Sequence, residues 1–183
     1  MKKIKRNLFL ILIVALTLIV VPAFAQTEIA VQNPTIDYRL PYPGILPNNP
    51  LYKLKTFRDR LISFFISDPQ KKAEFDLLQA DKRLSSGIAL FEQGEKKYDL
   101  AEVTISKGEN YFEDAIRNIK ILKEQGTQVD PILLTNMELS SKKHKEVLVG
   151  MVSKTKGDLQ KRFSKDLERA DKFVVEVSKF KPN

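Results

Sequence analysis

His144 is the only imidazole in the chain, and there is no cysteine. A general base needs an orienting partner and a pocket, and a zinc site needs several ligands. Neither is supplied near His144, which stands between Lys143 and Lys145 on or beside an apolar stripe. Packing or solvation is therefore its expected role. Glu109 and Glu113, four residues apart near Tyr111 and Asp114, share a helix face. Lys107 and Arg117 flank them at ion-pair spacing, so this group reads as a solvated charged face. Without cysteine there is no disulfide, no thiolate metal site and no cysteine nucleophile. No Gly-x-Ser-x-Gly, His-Glu-x-x-His, Walker or EF-hand pattern occurs. The expectation is a non-enzyme with no catalytic, cofactor-binding or metal-binding residues.

The elements that would position any site begin with a targeting signature. Lys2, Lys3, Lys5 and Arg6 precede an apolar run from Leu8 to Val21, then Pro22 and Ala23-Phe24-Ala25. This is the pattern of a secretory signal peptide, residues 1–25, with cleavage after Ala25. If it is kept, residues 8–25 nearly reach the ~20 apolar residues of a membrane anchor. Either way the rest of the chain is expected outside the cytoplasm, secreted or in the cell envelope. Removing the four cations takes 31 Lys+Arg to 27 against 23 Asp+Glu, so a formal charge of +8 falls to +4. The remaining basic residues read as solvent faces of helices. No zinc finger, RNP-like motif or long basic arm is present, so nucleic acid is not an expected partner.

Residues 26–48 read as an extended lead that ends in a Pro-rich segment. Pro41, Pro43, Pro47 and Pro50 fix φ and remove donors, so this stretch is extended or turning. Tyr42, Ile45, Leu46, Leu51 and Tyr52 are its large apolar residues. They are candidates for docking a partner, or for wrapping over the end of a helical core.

From residue 49 to 183 the pattern is helical. Asn49-Pro50, Asp68-Pro69 and Asp130-Pro131 each place a capping side chain before proline at a first helical position. The first helix, 50–67, carries the stripe Leu54, Phe57, Leu61, Phe64 and Phe65. The second runs from Pro69 to about Gln93. The third, about 95–125, repeats Tyr98, Ala101, Ile105, Gly108, Phe112, Ala115, Ile119 and Leu122 in steps of three and four. That seam, with its small residues, implies close approach of a neighbouring helix, and it could equally serve a homodimer. The fourth stripe runs from Pro131 to about Phe180, and Gly157 is its one weak point. The reading favours one long, gently bent C-terminal helix. The expected fold is all-α: an antiparallel helical hairpin or bundle of about four helices with a long C-terminal helix, preceded by the Pro-rich extended segment.

Tyr42-Pro-Gly-Ile-Leu-Pro-Asn-Asn-Pro-Leu-Tyr-Lys-Leu-Lys55, then Asp68-Pro69-Gln-Lys71-Lys72-Ala73-Glu74, then Ala80-Asp-Lys-Arg83-Leu84 occur in order. Together they resemble the bacterial DUF5667 domain over about Leu40–Gly126. The resemblance implies an exported or membrane-associated helical domain and brings no catalytic residues with it. The resulting expectation is an exported, non-enzymatic helical bundle that binds a protein or envelope component. The alternative is an extracytoplasmic stress sensor or chaperone-like helical hairpin.

Overall fold

The computed structural model describes residues 36–180. The expected signal segment and the lead as far as residue 35 lie outside the described residues. Five α-helices follow an extended strap: α1 Tyr52–Phe65, α2 Pro69–Phe91, α3 Tyr98–Glu124, α4 Pro131–Lys154 and α5 Gly157–Ser178. A single 3₁₀ turn, Glu95–Lys97, leads into α3. The described residues contain no strand, and the all-α bundle expected from the periodicity is the observed fold.

Local chemistry sets the ends. Asp68 accepts a hydrogen bond from the Lys71 amide at 2.8 Å, and Asp130 accepts one from the Ile132 amide at 2.8 Å. Each is followed by proline, which loses no helical bond at that position. Helices α2 and α3 form one antiparallel hairpin, and α4 and α5 form another. The two hairpins pack α3 against α5 and α2 against α4. Ion pairs record the α3–α5 register: Arg162 meets Asp99 and Glu102, Arg169 meets Glu113, and Lys120 meets Glu176. Residue numbers rise together along both helices, so α3 and α5 run parallel.

The third-helix seam behaves as its small residues imply. A methyl group on Gly108 would stand 2.8 Å from Arg83 Cβ and 3.2 Å from the Ala80 carbonyl oxygen. One on Gly87 would stand 2.2 Å from Ile105 Cγ1. Absent side chains on both helices let α2 and α3 approach backbone to backbone.

Two expectations are corrected. The long C-terminal helix is in fact two helices, because α4 stops at Lys154 and the chain reverses through Thr155 and Lys156. Lys156 is extended, and Gly157 holds φ at +63°, a left-handed conformation that glycine adopts without strain. The Thr155 hydroxyl closes the end by donating to the Met151 carbonyl at 2.9 Å. Folding back solves a length problem. A single helix of about 75 Å would overhang α3, which is about 40 Å long at 1.5 Å per residue. The second correction concerns α1, expected from Pro50 to Ser67 with Asn49 as its cap: it runs from Tyr52 to Phe65, and its N-cap, Leu51, makes no side-chain bond. Its stripe, Leu54, Phe57, Leu61, Phe64 and Phe65, is exposed.

Candidate functional site

The core is divided. One apolar cluster gathers Phe112, Met137 and Phe173 with their neighbours, and a second gathers Leu84, Ile105 and Phe163. Between them lies a polar layer to which each bundle helix contributes: Asp81 from α2, Glu109 from α3, Ser140 and His144 from α4, and Asp166 from α5. All five are buried, and Glu109, Ser140 and His144 have no exposed surface.

His144 is the hub. Its Nδ1 lies 2.8 Å from Glu109 Oε1 and its Nε2 lies 3.2 Å from Asp81 Oδ1. Ser140 donates to Asp81 Oδ1 at 2.5 Å, and the Tyr38 hydroxyl donates to Asp81 Oδ2 at 2.6 Å from the strap. Phe112 stands edge-on to the imidazole, with ring centroids 5.3 Å apart. Burial works against a charged imidazole, but the carboxylates of Glu109 and Asp81 outweigh it and hold His144 up at about 9. With both nitrogens facing carboxylates, His144 is an imidazolium that donates twice. Burial, reinforced by the Glu109 charge, pushes Asp166 up to about 7. Burial and the adjacent Asp81 push the Tyr38 phenol upward. Arg169 Nη1 reaches Asp166 at 3.4 Å.

This layer is strongly perturbed electrostatically, as catalytic groups often are. It is also sealed. Imidazole and carboxylates this deeply buried cannot reach a substrate in this conformation, and both imidazole nitrogens are engaged by carboxylates, while Glu109 Oε2 and Asp166 Oδ2 are buried without a hydrogen-bond partner. What the arrangement does chemically is fix register. Sliding any helix by a turn would bury a charge against the apolar clusters, which costs several kcal/mol per ion. Among the described residues, no group of three or more His, Cys, Asp or Glu is arranged to hold a metal ion.

The sequence reading placed His144 on an apolar face, where it is. It placed Glu109 on a solvated face with Glu113, and this is corrected. Glu113 is exposed and pairs with Arg169, whereas Glu109 points inward. Tyr38, Asp81, Ser140 and Asp166 were not singled out. A signal existed: Leu77, Asp81, Leu84, Ile88 and Phe163, Asp166, Ala170, Phe173 each carry one polar residue at seam spacing.

The strap and α1 form the outward-facing part. Of the five docking candidates, Tyr42, Ile45 and Leu51 are exposed, while Leu46 and Tyr52 are half-buried. The packing against the bundle is done just upstream. Leu40 lies against the apolar cluster around Leu84, Ser85 donates to the Pro41 carbonyl at 2.7 Å, and the Ile36 amide donates to Glu146 Oε2 at 3.0 Å. Downstream, α1 presents its polar side to the bundle. Arg83 stacks over the Tyr52 ring at 5.2 Å, and Lys72 donates to the Ser63 carbonyl at 2.8 Å. Asp59 is buried beside Arg58. Its apolar side faces away, with Phe64 81% and Phe65 77% exposed.

The fold and these features define a class: a four-helix bundle keyed by a buried ionic layer, carrying an extra amphipathic helix on its outside. Residues 44–155 match the family described as Domain of unknown function (DUF5667), and the chain belongs to that family. The match begins in the Pro-rich segment, takes in α1 to α4, and ends at the reversal before α5. No curated protein and no solved structure matches the chain.

Proposed function

We propose that this protein is an exported, non-enzymatic helical bundle that binds an envelope component through the outer face of α1. The observation that carries the reading is the inverted packing of α1, which turns its polar side to the bundle and leaves its apolar side exposed among the described residues. Monomeric soluble proteins rarely leave such a contiguous apolar surface unless something binds it. The sealing of the His144 layer supports a role other than turnover. The signature within residues 1–25 supports export.

Site-specific photocrosslinking tests the reading. A benzophenone side chain in place of Phe64, in the full chain expressed in its host, is expected to crosslink an envelope component. The same group in place of Val175, exposed on α5, is not. Recovery of uncrosslinked protein from the cytoplasm would count against both export and binding. The chaperone-like alternative draws on the same face. Suppression of client aggregation by the wild type, and its loss in Phe64→Ser/Phe65→Ser, would favour that alternative.

A further inference from the structure

The identity of that envelope component follows from how charge is arranged around α1, and the inference rests on the reading of its outer face as the binding face. At about 100° per residue, Phe64, Phe57, Leu61, Leu54 and Phe65 fall within an arc of about 100°. Arg60 and Lys53 border this arc on one side and Arg58 on the other. The single acid of the helix, Asp59, lies on the opposite side and is buried. The exposed half of α1 is therefore an apolar strip between two cationic margins, with no carboxylate of its own. Lys53 and Arg60 make no ion pair among the described residues.

We infer that α1 lies flat in the headgroup region of an anionic lipid bilayer, with its Phe and Leu side chains among the acyl chains and Lys53 and Arg60 on lipid phosphates. Interfacial helices have this layout: large apolar residues on one side and long basic side chains whose stems run along the apolar boundary to reach phosphate. The 14 residues of α1 span about 21 Å, short of the ~30 Å hydrocarbon core, so α1 lies in the interface and does not cross it. Among the described residues, no helix is long and apolar enough to cross a membrane. A second copy of the chain fits less well. Pairing two such strips would set the basic residues of one copy against those of the other, and like charges so placed are costly.

The chain has no tryptophan, so Phe64→Trp in the full-length protein places a single reporter on the strip, at the most exposed of its residues. With vesicles of phosphatidylcholine and phosphatidylglycerol, its emission is expected to shift to the blue and to be quenched by brominated acyl chains. Vesicles of phosphatidylcholine alone should produce a much weaker response. Val175→Trp reports from α5 and should stay water-like under both conditions, which separates immersion of α1 from attachment of the chain by another segment. Adding Lys53→Glu and Arg60→Glu to the reporter chain should weaken the response at least tenfold with helicity unchanged. Arg58 is spared because it pairs with buried Asp59. Water-like emission from position 64 on both vesicle types would overturn the inference, even if the chain sediments with them. So would a blue shift without lipid that grows with protein concentration, which would mean that a second copy covers the strip. A position-64 crosslink to an envelope protein, with no lipid immersion, would also overturn it while leaving the broader envelope-binding reading intact.

Discussion

His144 ties three helices and the strap together, so removing its charge strands two buried carboxylates. His144→Gln is expected to destabilise the fold by about 3–5 kcal/mol in urea titrations, because breaking a buried ionic group leaves uncompensated charge. Replacing Asp81, Glu109 and His144 together by Leu should cost less, since it removes the ionic trio whole and leaves the Ser140 and Tyr38 hydroxyls, not a carboxylate, without their partner. The pH dependence has a definite sign. His144 titrates near 9 when folded and near its ordinary 6.5 when unfolded. Its contribution is thus complete below about pH 6.5 and lost as pH rises through 9. Asp166 is also raised, from 3.8 to about 7, so its burial as an anion becomes a growing cost between those values. Asp166→Asn is therefore expected to stabilise the protein at pH 8 by roughly 1–3 kcal/mol and to change little near pH 4. A variant with the same melting difference at both pH values would contradict that assignment. The layer was hard to read in advance because its partners are remote. His144 meets Glu109 across 35 residues and Asp81 across 63. Nothing local to a lone histidine reveals an acid brought to it by packing.

At the level of helices, two of the three capped starts hold, while α1 begins at Tyr52, two residues after Pro50, without a side-chain cap. Asp68-Pro69 and Asp130-Pro131 begin helices because the cap and the missing donor act within a few residues. The Gly108 seam identifies a close helix pair because only a side chain's absence permits that approach. Gly108→Ala gains about 1 kcal/mol of helix propensity but drives a methyl into Arg83 Cβ and the Ala80 carbonyl, so a net loss of about 1–2 kcal/mol is expected in thermal unfolding. Gly157→Ala meets no atom within 4 Å, yet must hold φ near +63°. It should cost about 1 kcal/mol, and Gly157→Asn should cost less because Asn tolerates that region. Equal melting temperatures for the Ala and Gly proteins would show that the reversal does not depend on left-handed backbone. Two features escaped periodicity for one reason. A repeat of three and four states which residues share a face, not which way the face points, so neither the outward direction of the α1 stripe nor the fold-back at Gly157 follows from it. The stripe through Gly157 is shared by two helices that turn back on each other, because a bundle can bury only as much helix as its neighbours cover.

For the whole molecule, the arrangement separates two tasks. The bundle is self-sufficient: two apolar clusters, a polar layer that sets their register, and arginines on α5 that lock it to α3. The outer face of α1 contributes little to that stability. Phe64→Ser/Phe65→Ser should accordingly leave the melting temperature within about 2 °C of wild type, since surface substitutions seldom exceed ~0.5 kcal/mol. Leu40→Ser in the strap should lower it by several degrees, because Leu40 packs against the core. Calorimetry on both variants would separate the two roles, and the opposite ranking would show that α1 belongs to the core. The strap also has a history in time. The α2–α3 and α4–α5 hairpins can each close through a loop of a few residues. The strap joins α4 through Ile36 and Glu146, which stand 110 residues apart, and joins α2 through Tyr38 and Asp81. Its binding surface does not exist until both hairpins have met, so it docks last as the chain folds. By the same logic it is expected to leave first, so native-state hydrogen exchange should report release of the strap, with the Tyr38–Asp81 bond broken and water admitted to the buried charges, before the hairpins part.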